Sequence, residues 1–294
     1  MLFLRHTNNH IQMKIITLTT LILLLAMASC DDSGKRAEAL YSKAEASFMQ
    51  HDYNAAKLLI DSIKSSCPKA FDTRRKAISL MQRIELAEQE KSMAYLDSIR
   101  AVRLDTLNVI KEQYLYLKDP EYQDIGTFIY PAQDLKRNNG RTMLYASVDE
   151  NGTMRLTSIL CGHPINHHIV KITPRSGDTF ASTKQSDRFY TSTHLGITTE
   201  KAEFEVGRTD GGIADFIVIN RDHPLTIECQ GTRTIRRTLT RTEINAITSV
   251  SRLADILRDL HAIEGQKREA LNKINFIKAR MSESAAATKD LDKQ

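Results

Sequence analysis

The chain has 294 residues, 41% hydrophobic and 26% charged, which is enough apolar side chain for one or two folded cores and too much for a disordered chain. Its formal net charge of +5 is mild. Because no zinc-finger, basic-zipper or stacked-aromatic motif accompanies that charge, the sequence predicts no nucleic-acid partner.

The first 29 residues are typical of a bacterial signal peptide. Lys14 precedes an apolar run from Ile15 to Met27, which is shorter than the ~20 residues that a membrane-spanning helix needs. The run ends in LAMASC, which resembles the lipobox of bacterial lipoproteins. That resemblance implies that residues 1–29 are removed and that Cys30 is acylated as the new first residue. An ordinary signal peptide followed by an incidental cysteine is the alternative.

Three cysteines follow the lipobox, so at most one disulfide can form within the chain. A Cys161–Cys229 pair is open, because both residues end predicted strands, and Cys67 would then stay free. The start site is also open, since Met13 followed by lysine is a second candidate besides Met1.

Residues 30–70 predict a lipid-anchored segment followed by two short helices. The stretch resembles a single tetratricopeptide repeat, which implies a helical hairpin in 34 residues. The resemblance is carried by Ala46, the turn at Asp52-Tyr53, Ala56, Ile60, Ile63 and Pro68. A generic helical hairpin is the alternative.

Two long helices are predicted, over residues 71–118 and 241–281. Their apolar residues recur every three or four positions, which gives each helix one buried stripe. We expect them to form an antiparallel, coiled-coil-like stalk within the chain, or to pair with a second copy in a homo-oligomer. The tail, residues 282–294, is predicted to be disordered.

The segment 119–240 changes to alternating periodicity, which is typical of strands. Residues 143–148 and 154–160 form a hairpin around the Asn151-Gly152 turn. Further strands are predicted at Ile169–Thr173, Arg188–Thr193, Ala202–Val206, Ala214–Asn220 and Leu225–Gln230. With no helix predicted between them, these strands favour an antiparallel β-sandwich. The expected fold class is therefore α+β, with the sandwich inserted in the stalk.

One cluster of residues has the chemistry of metal ligands. Thiolate and imidazole groups occur together at Cys161, His163, His167 and His168, and such groups bind zinc or copper. Their spacing matches no zinc signature, and a loop leading into a strand explains them without a metal. We therefore predict no metal and no cofactor, with these four residues as the alternative site.

Four arginines lie where the last strand precedes the return helix: Arg233, Arg236, Arg237 and Arg241. They are a possible surface for an anionic partner. The favoured interpretation is an edge strand whose charges discourage pairing with another sheet.

No motif for a catalytic nucleophile, a phosphate loop or a dinucleotide site is present, so the sequence leans against an enzyme. The glycine-rich segment Gly207–Gly212 is interpreted as a hairpin turn between strands.

Taken whole, the chain resembles uncharacterised envelope lipoproteins of the Bacteroidota. The resemblance implies a lipid-anchored protein of the cell envelope, expected at the outer membrane, with its periplasmic or surface face open. The expected function is non-enzymatic: a β-sandwich on a helical stalk binds an envelope protein or cell-wall polymer. The end loops His163–His168 and Thr209–Gly212 are the first candidate surface. A carbohydrate- or cell-wall-active hydrolase with paired carboxylates and a metal-binding protein are the alternatives.

Overall fold

The computed structural model describes residues 33–175, 177–194 and 196–291. The predicted signal peptide and Cys30 lie outside these residues. The chain divides into two compact units. Of the described residues, the helical unit comprises those up to Tyr95 together with those from Lys267 onward, and the β-rich unit comprises those of Leu96–Gln266.

The helical unit begins with the predicted pair of short helices. Helix α1 occupies residues 33–49, and helix α2 spans Tyr53–Ser66. Asp52 ends the turn between them, and its carboxylate accepts the backbone N–H of Ala55 at 3.0 Å, which satisfies a free donor at the start of α2. The core is built from small and aliphatic side chains: Ala37, Ala44, Ala56, Ile60, Ile63, Cys67, Ala77, Leu80 and Ile84.

Two long helices, α3 (Phe71–Ile110) and α5 (Arg241–Leu291), contribute to both units. In the helical unit, Lys278 of α5 lies 3.9 Å from Glu90 of α3. In the β-rich unit, Arg103 of α3 pairs with Asp259 at 3.0 Å, and Arg100 pairs with Glu264. In the β-rich unit the partner on α5 moves from residue 264 to residue 259 as α3 advances from residue 100 to residue 103, so the two helices run antiparallel there.

Helix α5 continues through Leu291, so the prediction of a disordered tail over 282–294 is wrong for the part that the structure describes. The segment after Met281 includes Ala285-Ala286-Ala287, and alanine has the highest helix propensity, which favours extension of the helix.

Among its described residues, the β-rich unit contains ten strands and one short helix besides its parts of α3 and α5. The helix is α4, Ile213–Ile219. The strands are β1 (Leu115–Leu117), β2 (Thr127–Ile129), β3 (Met143–Asp149), β4 (Met154–Gly162), β5 (Ile169–Pro174), β6 (Ala181–Ser182), β7 (Arg188–His194), β8 (Ile197–Glu205), β9 (Leu225–Gln230) and β10 (Thr234–Thr238).

The strands form two antiparallel sheets. The larger has the order β1-β2-β3-β4-β8-β7, and the smaller has the order β10-β9-β5-β6. One hydrophobic cluster draws on both sheets, on α4 and on α5, through residues that include Leu144, Leu156, Leu160, Ile172, Ile227, Ile213, Ile217, Ile247, Val250 and Leu253. A second, smaller cluster on the larger sheet contains Ile129, Met143, Tyr145 and Ile159. The predicted α+β class is therefore confirmed.

Helix α3 ends at Ile110, so the prediction that it continues to residue 118 is wrong. A single 3-10 turn follows, and Leu115 then starts β1. Tyr114 is buried at this break, where its hydroxyl donates to the Ser249 carbonyl of α5 at 2.7 Å. The apolar spacing of residues 110, 114 and 117 also fits a continued helix, which is why the sequence predicted one. In the structure, the contacts that Tyr114 makes with α5 outweigh that local pattern.

The predicted strand at Ala214–Asn220 is also wrong, because this segment is α4. The glycine-rich Gly207–Gly212 segment leads into that helix, with Gly212 at φ +79°, and is no hairpin turn. Asp210 orders the segment, because its buried carboxylate accepts the N–H of Gly207 at 2.9 Å and that of Ala214 at 3.2 Å.

Candidate anion-binding site

The structure does not bring the four predicted metal ligands together. His163 is exposed, His167 is buried, and Cys161 packs beside Thr199, with 3.5 Å between its Sγ and the Thr199 hydroxyl. His168 lies against the ring of Phe189, at 4.5 Å between centroids. Among the described residues, no group of three or more His, Cys, Asp or Glu side chains is placed to hold a metal ion.

His167 instead belongs to a buried polar network. Its Nδ1 lies 3.1 Å from Oε2 of Glu200, and its Nε2 lies 3.1 Å from the Ser158 hydroxyl. The other oxygen of Glu200 accepts two backbone N–H groups, from Ile165 at 3.1 Å and Asn166 at 2.6 Å. The network therefore fixes the loop before β5 to strands β4 and β8.

The order of carboxylate, imidazole and hydroxyl is the one that activates a serine nucleophile. Here Ser158 is 1% exposed and His167 is fully buried, so no substrate reaches the hydroxyl. Burial alone would raise the pKa of Glu200, but the hydrogen bonds from His167 and two backbone amides outweigh it and lower the pKa. The carboxylate therefore stays ionised as part of the framework.

Cys161 and Cys229 are both free. Cys229 lies in the main core with its Sγ 3.5 Å from the Ser158 hydroxyl, and burial raises the pKa of its thiol. Cys161 packs against the smaller cluster around Ile159. Ser158, which contacts Cys229, and Cys161 are three positions apart on β4, so their side chains point to opposite faces of the sheet. The two thiols therefore lie in different cores, and the Cys161–Cys229 disulfide does not form.

The arginine segment does not form one continuous basic surface. It is an edge strand, since β10 pairs only with β9. Arg236 binds Glu228 across that pair at 2.8 Å, and Arg237 turns inward to bind Glu243. Arg233 is exposed in the β9–β10 turn. Arg241, the first residue of α5, lies outside this strand and lines a cleft instead.

Arg241 lines a cleft of about 470 Å³ in the β-rich unit. Side chains from four separate parts of the chain contribute: Tyr114, Tyr130, Arg221, Arg241, Asn245, Thr248 and Arg252. Three of them carry guanidinium groups, and one carboxylate, that of Asp222, lies among them. The cleft is the place in the described chain where the predicted anionic-partner chemistry is concentrated.

One face of α5 forms a wall of the cleft. Arg241, Asn245, Thr248 and Arg252 follow one another at spacings of four, three and four, so their side chains stack along one side of the helix. The opposite face carries Ile247 and Val250 into the core. The hydrophobic stripe that predicted the helix therefore also determines which polar residues face the cleft.

Asp222 partly neutralises one end of the cleft. Its carboxylate lies 3.8 Å from Arg221 and 3.8 Å from Arg241, which is at the long limit of an ion pair. A guanidinium amine of Arg241 also donates to the Arg221 carbonyl at 2.6 Å. Arg252 makes no ion pair with any residue that the structure describes. The cleft thus carries a net positive charge that an anion can match.

Two hydroxyl groups in the cleft differ in their bonding. The Tyr114 hydroxyl is bound to Ser249, and burial raises the pKa of Tyr114. The Thr248 hydroxyl is buried and has no hydrogen-bond partner within the described chain. A buried hydroxyl without a partner is costly to the fold, and its burial keeps it from a ligand in the cleft.

Sequence reasoning found Arg241 and missed the other cleft residues. Arg252, Asn245 and Thr248 were visible as a polar stripe at helical spacing on the predicted return helix. Arg221 and Tyr130 gave no local signal, because they reach the cleft only through the fold.

A second cleft, of about 590 Å³, lies beside the glycine-rich Gly207–Gly212 segment. It contains carboxylates, which the hydrolase hypothesis requires. Asp255 is paired with Arg258 at 3.3 Å, and Glu205 lies 3.7 Å from Arg208. Two of its carboxylates are therefore engaged by neighbouring guanidinium groups.

Comparison with known proteins gives no relative for this chain. No family model, no curated protein and no solved structure matches it. No helix within the described ranges is long and apolar enough to cross a membrane. The interpretation of the cleft therefore depends on its residues.

Proposed function

We propose that this protein is a lipid-anchored envelope protein that binds an acidic envelope component, without catalysis, in the cleft between α5 and the Arg221 turn. The observation that carries the proposal is the cleft itself, where three arginines meet one aspartate. Guanidinium groups match carboxylate and phosphate oxygens in two-point contacts, so the cleft favours an anion.

The anchor is proposed from the lipobox-like LAMASC sequence, with Cys30 as the acylated residue in the outer membrane. Lipoprotein modification attaches several acyl chains, which is what stable anchoring requires. Palmitate labelling of intact cells tests it directly. We expect the label on the wild type and none on Cys30→Ala, and label retained by the variant would refute the anchor.

The finer architecture is part of the same proposal. We interpret the two sheets as a β-sandwich, because Leu156 of one and Ile227 of the other share a hydrophobic cluster. We interpret α1 and α2 as a tetratricopeptide-like hairpin, because the small residues Ala44 and Ala56 are both fully buried where the helices contact. The helical part would then separate the lipid from the binding module along the chain.

The binding function is tested by affinity capture from envelope fractions with the full anchored chain. The double variant Arg241→Ala/Arg252→Ala removes two cleft charges, and Arg233→Ala removes one exposed charge outside the cleft. We expect the captured component to be lost from the double variant, kept by Arg233→Ala, and released at about 1 M salt, where the screening length is ~3 Å. Equal capture by all three proteins would refute the proposal.

A further inference from the structure

The positive charges of the cleft lie at two separate ends. Arg241 and Arg252 are eleven positions apart on α5, so their Cα atoms are roughly 16 Å apart along the helix axis at ~1.5 Å per residue. Arg221 belongs to the first end, because its carbonyl and the nearby Asp222 hold the Arg241 side chain there. A single compact anion bound at that end therefore leaves Arg252 without a counter-charge.

Between the two ends the cleft is polar but uncharged. Asn245 and Thr248 lie there on the same face of α5, and Tyr114 and Tyr130 line the cleft with them. An amide and a hydroxyl each donate and accept hydrogen bonds, and a tyrosine ring offers an apolar face. Sugars present the complementary surface, since their hydroxyls both donate and accept while their ring C–H groups are apolar.

We infer that the ligand is an acidic oligosaccharide, with one acid group at the Arg221/Arg241 end, another at Arg252, and sugar hydroxyls bonded to Asn245. The inference rests on the proposed function, because it names the ligand class of the same cleft. A mononucleotide carries its negative charges at one end, so it would match only one of the two charged ends of the cleft. Neutral sugars would match the uncharged middle of the cleft but neither of its arginine ends.

The test is calorimetric titration of the full chain, purified in detergent, with four probes: trigalacturonate, neutral galactotriose, inorganic phosphate and a tri-aspartate peptide. We expect trigalacturonate to bind at least about tenfold more tightly than each of the others, since a hydrogen bond to a charged group contributes ~1.5–3 kcal/mol.

Matched variants locate the ligand within the cleft. Arg241→Ala and Arg252→Ala should each weaken trigalacturonate binding about tenfold or more, and Asn245→Ala about fivefold. Arg233→Ala, outside the cleft, should leave the affinity unchanged.

Three outcomes would overturn the inference. Equal binding of phosphate would make the cleft a single-anion site, and tighter binding of the peptide would assign it to acidic protein. Unchanged trigalacturonate binding by Arg252→Ala would show that the ligand does not bind at both charged ends of the cleft. In each case, loss of captured component from the Arg241→Ala/Arg252→Ala protein would still support the proposed function, so the two failures are distinguishable.

Discussion

Arg237 and Glu243 form a two-point ion pair at the junction of β10 and α5, with Nη1 2.9 Å from Oε2 and Nη2 2.5 Å from Oε1. The same carboxylate completes a capping box, because it accepts the Thr240 N–H at 2.7 Å while the Thr240 hydroxyl accepts the Glu243 N–H at 3.2 Å. It also accepts the Leu144 N–H of β3 at 2.7 Å. Glu243 therefore joins a strand of each sheet to the start of the helix that lines the cleft.

Replacing Glu243 by alanine should destabilise the protein by about 3–5 kcal/mol, because Arg237 is left as a largely buried charge without its partner. Urea denaturation measures the loss. The matched control is Glu228→Ala, which breaks a pair with the exposed Arg236 and should cost less than about 1 kcal/mol. Equal losses in the two variants would contradict the role assigned to Glu243.

Acid should destabilise the β-rich unit through Glu200 and Glu243. Burial opposes ionisation of both, but the hydrogen bonds from His167 and Arg237 and from backbone amides lower both pKa values below the ordinary 4.5. A carboxyl whose pKa is lower when folded stabilises the fold above its unfolded pKa, about 4.3, and that stability is lost as pH falls through the folded value.

The measurement is the free energy of unfolding in urea between about pH 6 and pH 3. We expect it to be flat at the upper end and to fall below about pH 4.3, with a shallower fall in Glu200→Gln. A variant with the slope of the wild type would show that Glu200 is not one of the groups responsible.

Gly152 should not tolerate a side chain. It lies in the β3–β4 turn at φ +84°, and an added Cβ would lie 2.4 Å from the Arg258 nitrogen and 2.8 Å from the Ala254 carbonyl oxygen. Gly152→Ala should therefore cost about 3 kcal/mol or more, from backbone strain and from overlap with α5.

Gly140→Ala is the control for Gly152→Ala. Its φ of +72° is similar, but a Cβ there meets no atom within 4 Å. Thermal denaturation should show a loss of about 1 kcal/mol, from strain alone. Similar losses at the two positions would mean that the turn does not pack against α5.

Elements with a strong local signal were predictable from the sequence. The β3–β4 hairpin follows from alternating residues around Asn151-Gly152, where Gly152 does adopt positive φ. The stripes of α3 and α5 predicted two long helices. The strand predicted at Ala214–Asn220 is wrong, because a stretch of seven residues is too short for its pattern to distinguish a strand from a two-turn helix.

The cleft was not predictable, because its parts depend on tertiary contacts. Burial of Tyr114 stops α3 and brings the end of that helix to α5. The turn after α4 brings Arg221 to Arg241, twenty positions further along the chain. Neither contact leaves a periodic trace in the sequence, and the arginine segment that did attract attention is mostly paired with acids inside the fold.

Gln133 covers backbone groups that the larger sheet leaves without a strand. Strand β2 pairs with Ser147–Asp149 of β3, and the preceding part of that edge is uncovered by any described strand. The buried Gln133 side chain donates to the Leu144 carbonyl at 2.8 Å and accepts the Ala146 N–H at 2.9 Å. Its amide therefore takes the place of a strand neighbour.

Gln133→Ala should cost about 2–4 kcal/mol, because it leaves a buried carbonyl and a buried N–H without partners. Hydrogen exchange gives a sharper test than stability alone. The Ala146 amide should exchange faster in the variant, while the Leu144 amide, which donates to Glu243, should exchange at a rate set only by the lower global stability. Gln185→Ala, at an exposed glutamine, should leave both amides protected. The amides of Leu144 and Ala146 could instead both exchange faster, by the same factor, than the loss of global stability explains. That result would show that Gln133 supports the whole edge of β3 and not the Ala146 hydrogen bond in particular.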